Sequence, residues 1–342
     1  MAASQTHHQY PERPSEDPVL TTERYELQRS REYLRLMRED VLSLRAMGGD
    51  PVSEEYLKAD LYHRAEALKD IPDAPLFFGR LDYAGQSGAE SDGDDDIAGH
   101  SFHIGRRHVH APDGTPAVID WRAPVSRPFY RASRADPMNL ELRRRFGFSG
   151  AELTAYEDEL FSPGRPVPVA ADQPSRILLA EIERPRSGPM RDIVATIQPD
   201  QDDIVRADAA QTVCVQGAPG TGKTAVGLHR VAYLLYAYRE QVRRRGVVMV
   251  GPNRAFLSYI RNVLPALGEL DVIQTTVGEL IGRGVTGGPV TVRGSDPEEA
   301  AVVKGDARMA EVLRRALWSS VRAPAAALVL PRGSRRWRVP AY

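Results

Sequence analysis

The sequence predicts an α/β fold in three successive parts: an antiparallel helical hairpin, a small β-rich segment, and a parallel sheet whose strand set is incomplete. Three observations carry this reading. Apolar residues recur at heptad spacing between Leu27 and Leu44. Short apolar and aromatic runs, separated by turn residues, follow from Pro75 onward. From Thr212, strand-like and helix-like runs alternate, which is the pattern of a parallel sheet with crossover helices.

Bulk composition bounds the answer without deciding it. With 342 residues the chain is long enough for two domains, or one large domain with attachments. Lys and Arg number 45 against 46 Asp and Glu, a net charge of −1. That argues against a dedicated nucleic-acid binder, which needs a clear basic excess, but leaves room for a local basic groove. There is one cysteine, Cys214, so no internal disulfide forms, and a reducing cytoplasm is expected. No apolar run reaches the length of a membrane span, and no membrane partner is expected. Residues 1–20 are polar and Pro-rich, with no secretory signal, and are expected to be a disordered tail.

The hairpin is placed at residues 21–70. Leu27, Leu34, Met37, Val41 and Leu44 form one stripe; Leu57, Leu61 and Leu68 continue it on the return arm. Gly48 and Gly49 are expected to stop the first helix, Asp50 or Ser53 to cap the second, and Pro51 to suit its first turn. Each arm of about 20 residues would extend roughly 30 Å. The narrow stripe and its dense Arg/Glu flanks favour projection over packing of the whole pair on a core.

Residues 71–165 form the β-rich segment. PLFFGRLDYA, FHIGRRHVH and AVIDWRAPVSRPFYRA read as short strands with turns, and LRRRFGFSGAELTAYEDELF as a helical or mixed stretch. The acidic, Gly/Ser-rich loop at 84–99 lacks the spaced Gly and terminal Glu of a calcium loop and is read as solvated. SPGRPVPVAADQPS is the expected linker.

Residues 175–290 are assigned to a nucleotide-binding domain. TVCVQ is expected to be a strand leading into Gly217-Ala218-Pro219-Gly220-Thr221-Gly222-Lys223-Thr224, a complete G-x-x-x-x-G-K-[ST] match, with KTAVGLHRVAYLLYAY the helix after it. Glycines at these positions let backbone N–H groups turn inward around phosphates, and the helix N-terminus adds its positive end. Lys223 should reach the β- and γ-phosphates, and Thr224 should ligate Mg²⁺. ATP and Mg²⁺ are therefore the expected cofactors. GVVMVGPN is a second strand, RAFLSYIRNVLPALGE a helix containing Pro265, and DVIQTTVGELI a third strand entering a helix. Hydrolysis also calls for a carboxylate at the end of a neighbouring strand. Asp120 in AVIDWRAP and Glu183 in LLAEIE are the nearest imitations, and both are assigned to structure. Residues 291–342 are read as the helical, truncated start of an insertion.

HRVAYLL after the loop resembles the UvrD-like superfamily 1 helicases, and Gln201 in IQPDQDDIVRAD resembles their Q motif. VVMVGPNRAFLSYIRNVLPALGE occupies the place of their next motif. Some two hundred residues, starting with the hairpin, precede the Q motif, unlike an ordinary DNA helicase. Together with FHIGRRHV, VIDWRAPVSRPFY and MRDIVATIQPDQ, this arrangement is similar to the HelD-type RNA polymerase recycling ATPases, including the actinobacterial HelR branch. The resemblance implies a RecA-like, superfamily 1A nucleotide fold, with Gln201 reading adenine and Arg230, in the shared His-Arg motif, helping to order the site. It implies RNA polymerase as partner, with the hairpin entering the secondary channel and the tip near Asp50 approaching the active centre; a plain helix cap is the other reading of Asp50. ATP-driven recycling of polymerase and a link to rifamycin resistance follow from the resemblance in the same way. It also implies that this chain is about the first half of such a protein, without the Asp-Glu motif and second motor domain, so that it binds ATP without necessarily hydrolysing it. A UvrD-like DNA translocase and a non-catalytic polymerase-binding fragment are the competing readings, and contact with nucleic acid is left open.

Overall fold

The structure is a computed structural model; it describes residues 17–45, 47, 50–71, 74–85, 97–161, 175–183, 190, 192–269, 272–282, 294–322, 326–332 and 335–340. The disordered tail expected over residues 1–20, most of the acidic loop and the Pro-rich linker fall largely outside this set. The chain divides into two compact units, residues 1–277 and 278–342.

The first unit opens with the hairpin. Helix α1 (Pro18–Ser43) starts three residues before the sequence suggested, because Asp17 caps it through a 2.9 Å bond to the Val19 N–H and Pro18 suits the first turn. It ends at Ser43 and not at the glycine pair. The Ser43 hydroxyl donates to the Asp40 carbonyl at 2.7 Å, competing with the helix ladder, and Leu44 is extended. Helix α2 (Pro51–Ala67) is capped by Asp50, whose carboxylate accepts from the Val52 and Ser53 N–H groups, both at 3.0 Å. The arms are antiparallel: Arg38 donates to the Ala65 carbonyl at 3.1 Å, and Arg31 to Asp70 at 2.7 Å.

Strands β1 (Phe77–Tyr83), β2 (Ser101–Gly105), β3 (Val109–His110) and β4 (Pro116–Asp120) follow, then a 3-10 turn (Pro124–Ser126), helix α3 (Pro128–Arg131) and strands β5 (Leu140–Ser149) and β6 (Glu152–Leu160). They make one mixed six-stranded sheet in the order β3-β4-β2-β1-β5-β6, with β2 and β4 parallel and the other pairs antiparallel. The stretch read as helical or mixed from Leu142 to Phe161 is corrected here: it is the β5–β6 hairpin. Phe146 and Phe148 alternate with Gly147 at period two, and Gly150, at φ 62°, makes the tight turn that an L-residue would strain.

Both faces of this sheet are covered. Leu27 and Leu34 of α1 pack with Phe77, Val118, Phe146 and Leu153 on one side. On the other, Phe78, Leu81, Trp121 and Phe129 join the helices that follow.

Those helices are α4 (Arg176–Glu183), α5 (Pro199–Arg206), α6 (Lys223–Ala237) and α7 (Arg239–Arg245). Next come β7 (Val247–Gly251), α8 (Arg254–Ile260), α9 (Val263–Ala266), β8 (Val272–Thr276) and α10 (Val277–Ile281), whose end passes the unit boundary. The helix expected across Pro265 is broken in two at Arg261–Asn262. Strands β7 and β8 pair in parallel, as the alternation predicted.

The strand expected at TVCVQ does not form. Burial alternates there, with Val213 and Val215 half-buried and Thr212, Cys214 and Gln216 exposed. A strand also needs a hydrogen-bonded neighbour, and none pairs with it among the described residues. The architecture is thus mixed α/β, with an N-terminal hairpin and a mixed sheet.

The second unit holds α11 (Glu298–Gly305) and α12 (Met309–Ser320), then β9 (Leu328–Arg332) and β10 (Arg335–Val339). The last two form an antiparallel ribbon with Trp337 opposite Leu330. Residues 291–342, expected to be helical, are helix over 298–320, and beyond them the described residues form the β9–β10 ribbon.

Candidate functional site

The glycine-rich loop lies exposed from Gly217 to Thr221 and runs into α6 at Lys223. Gly220 and Gly222 both have φ of 82°, a left-handed conformation that turns the loop back on itself. A Cβ at Gly217 would come within 2.7 Å of the Thr221 hydroxyl oxygen, so that position also requires glycine. Lys223 folds over the loop and donates to the Gly217 carbonyl at 2.9 Å and the Ala218 carbonyl at 2.7 Å. The Thr221 hydroxyl donates to the same Ala218 carbonyl at 2.9 Å. An ammonium held inside a concave glycine loop at a helix N-terminus is the donor set a polyphosphate needs. Thr224, on the first turn of α6, is exposed beside it. The residues thus fit a nucleotide phosphate with its Mg²⁺. Pro219 is exposed on the same loop.

Gln201 comes to the loop from α5. Its amide nitrogen lies 3.7 Å from where a Cβ on Gly222 would be, and its oxygen accepts from the Gln198 N–H at 3.1 Å in a reciprocal capping box. Arg230 points the other way. Its guanidinium donates to the carbonyls of Ile204 and Ala207, at 3.0 and 2.6 Å, and to that of Asp208 at 3.0 Å. It ties α6 to the C-terminal end of α5, where a cation complements the helix dipole.

Behind the loop is a set of buried polar groups that the sequence reading did not assign. His229, fully buried, accepts from the Ile193 N–H at 3.1 Å through Nε2. Its Nδ1 therefore carries the proton and donates to the Ala225 carbonyl at 2.8 Å. Burial lowers its pKa, consistent with the neutral ring. Asp192 is the next group. Burial would raise its carboxyl, but Arg106, donating at 3.0 Å, holds it below the usual range.

Asp120 is committed to structure. Arg122 grips it with two bonds of 2.9 and 2.7 Å, pairs also with Glu269, and lies over the Tyr236 ring. Arg206 donates to the Trp121 and Arg122 carbonyls at 2.8 and 3.0 Å while holding buried Asp202 at 2.8 Å. The VIDWR stretch is thus the clamp that fastens the sheet to α5 and α6. Glu183 ends helix α4 and is exposed, so LLAEIE is not a strand. Among the described residues no group of three His, Cys, Asp or Glu could hold a metal ion, and no helix is long and apolar enough to cross a membrane.

A further buried charge lies at the hairpin base. Glu23 on α1 accepts from His103 at 2.7 Å, Arg144 at 2.7 Å and Arg80 at 3.0 Å. Burial alone would raise its pKa, but these donors lower it to about 2. The signal for it was the apolar stripe itself: Glu23 stands one helical turn before Leu27 on the buried face.

Residues 14–173 match the family model described as DNA helicase IV HelD, N-terminal domain. No curated protein matches the chain. The match covers the hairpin and the six-stranded sheet, and ends before the glycine loop.

Proposed function

We propose, from the premise that this chain carries the N-terminal part of a HelD-type protein, that it is an ATP-binding factor that acts on RNA polymerase. The observation that carries the nucleotide half is the seating of Lys223 on the Gly217 and Ala218 carbonyls, with Gln201 beside the same loop. Gly217–Thr224 would hold the phosphates, Lys223 would neutralise the β and γ charge, Thr224 would ligate Mg²⁺ and Gln201 would read the adenine. The bound metal would supply charge neutralisation at the γ-phosphate.

The polymerase half rests on family membership and on the hairpin tip, which carries exposed apolar side chains. Entry of the hairpin into the secondary channel, ATP-driven recycling and a rifamycin link belong to this proposal. Binding without turnover is the second reading. It is favoured by Asp120, whose two oxygens are occupied by Arg122 and so do not serve a metal.

Titration with a fluorescent ATP analogue tests the nucleotide half. The Lys223→Ala variant is expected to bind at least tenfold more weakly, about 1.4 kcal/mol. Equal binding by both proteins would sink it. Phosphate release then separates the readings: a rate abolished in Lys223→Ala supports turnover, and no rate above background supports occupancy.

A further inference from the structure

The hairpin and the glycine loop are joined through the protein interior by a line of hydrogen bonds linked by short stretches of covalent backbone. Arg106 and Arg107 are neighbours on the turn after β2 and point to opposite partners. Arg107 donates to the carbonyls of Ala67 and Lys69 at the end of α2, the latter at 3.0 Å. Arg106 donates to the Pro75 carbonyl at 2.6 Å, just before β1, and to Asp192 at 3.0 Å. The next residue, Ile193, gives its N–H to His229, and His229 hangs from the Ala225 carbonyl in the first turn of α6. Lys223 and Thr224 are the two residues before Ala225.

These groups are held in one arrangement by burial, not by surface attraction. The Arg106 and Asp192 side chains are 12% and 7% exposed, and His229 is fully buried. A charge pair of this kind, out of water, is costly to separate. At the loop end of the line, the Lys223 ammonium has three N–H donors and spends two of them on the Gly217 and Ala218 carbonyls, which leaves one for a phosphate. A phosphate on this loop would also accept from the free N–H groups at the start of α6, and so order the turn that carries Ala225.

We infer that Arg106 and Asp192 are positioning residues that couple the phosphate loop to the base of the hairpin, so that occupancy of one alters the conformational freedom of the other. The coupling rests on the nucleotide reading given above. It is reciprocal: whatever grips the hairpin changes nucleotide affinity by the same factor as nucleotide changes the grip.

Amide hydrogen exchange on the full chain, with and without MgATP, tests this. Nucleotide binding is measured separately with the fluorescent analogue. In the parent protein, MgATP is expected to slow exchange in the last turn of α2 and in residues 69–71 by threefold or more, on the order of 0.7 kcal/mol. In Asp192→Asn that response is expected to vanish, while affinity for the analogue stays within about twofold. Arg106→Lys, which keeps the charge but loses the fork, is the second variant should the first fold poorly. A bond network that is merely structural would lower stability in both variants and leave the nucleotide response of α2 in place, which overturns the inference. Binding of MgATP with no change at α2 in the parent overturns it too, while leaving the nucleotide reading intact. Failure of the parent to bind nucleotide overturns both.

Discussion

Leu34 and Leu44 belong to one apolar stripe on one hairpin and meet opposite fates. Leu34 is 1% exposed, packed on the sheet between Phe77 and Leu153; Leu44 is 55% exposed, with Met47 beyond it at 84%. The same contrast runs along the return arm, where Ala65 near the base is buried and Tyr56 toward the tip is exposed. The base is also where the ionic links gather: Glu23 with Arg80, His103 and Arg144, and Arg107 on the end of α2. At the tip the polar bonds are local, such as Asp50 to Ser53. Periodicity alone therefore does not say what a stripe is for. One half of this stripe serves the protein's own core, and the other half leaves much of its apolar surface exposed, as an interaction surface does.

The base is the place to break the contrast hardest. Glu23→Gln keeps the shape of the side chain but leaves two arginines facing a neutral group. It is expected to cost about 3–5 kcal/mol, read as a lowered denaturation midpoint at constant slope. The pH dependence gives a second handle. With the folded pKa at about 2 and the ordinary value of 4.5, the contribution of Glu23 is fully present above about pH 4.5 and is lost as pH falls through the range toward 2. The parent should lose stability across that window more steeply than Glu23→Gln. Parallel curves would mean that the carboxylate is not ionised by its partners.

Leu34→Ala removes apolar volume where the stripe meets the sheet, and is expected to cost about 2–5 kcal/mol. Its effect should add to that of a tip substitution such as Tyr56→Ser, since the two sites lie more than about 10 Å apart along the hairpin. Non-additivity above about 0.5 kcal/mol would mean that base and tip behave as one packed unit.

The hairpin was legible because its apolar stripe is long and periodic, and the parallel pair β7–β8 because two short apolar runs alternate with helical ones. Asp50, Pro51 and the β7 and β8 runs fall where local chemistry puts them. TVCVQ was not, and the reason is physical: alternation fixes which faces are wet, but strand needs a neighbour that sequence position does not supply. LRRRFGFS was read as helical or mixed, because three arginines in a row hide the period-two alternation of a strand. In the structure Arg143 and Arg145 reach Glu159 and the Phe129 ring on one side, and Arg144 reaches Glu23 on the other. The loop residues were readable as a motif, since Gly217, Gly220, Gly222 and Lys223 each answer a local demand. His229, Asp192 and Arg106 were not. Each pairs across a gap of tens of residues, and a lone buried His or Asp carries no local spacing to mark it.

The smallest effect on stability sharpens the comparison most. Leu44→Ser, Leu57→Ser and Tyr56→Ser, made together, change exposed side chains that touch no core cluster. Each should shift unfolding by no more than about 0.5 kcal/mol, so the triple variant should melt close to the parent. Burying an aromatic side chain such as Tyr56 against a partner, by contrast, is where interface energy concentrates. The triple variant is therefore expected to lose most of the RNA polymerase binding proposed above while keeping its fold and the proposed affinity for the ATP analogue. Undiminished retention would remove the tip from the polymerase contact and move the search to another exposed apolar surface, such as α12, where Leu313, Leu317 and Trp318 face solvent. A large drop in stability would show instead that the tip is packed in solution, and the division of the stripe between two partners would have to be given up.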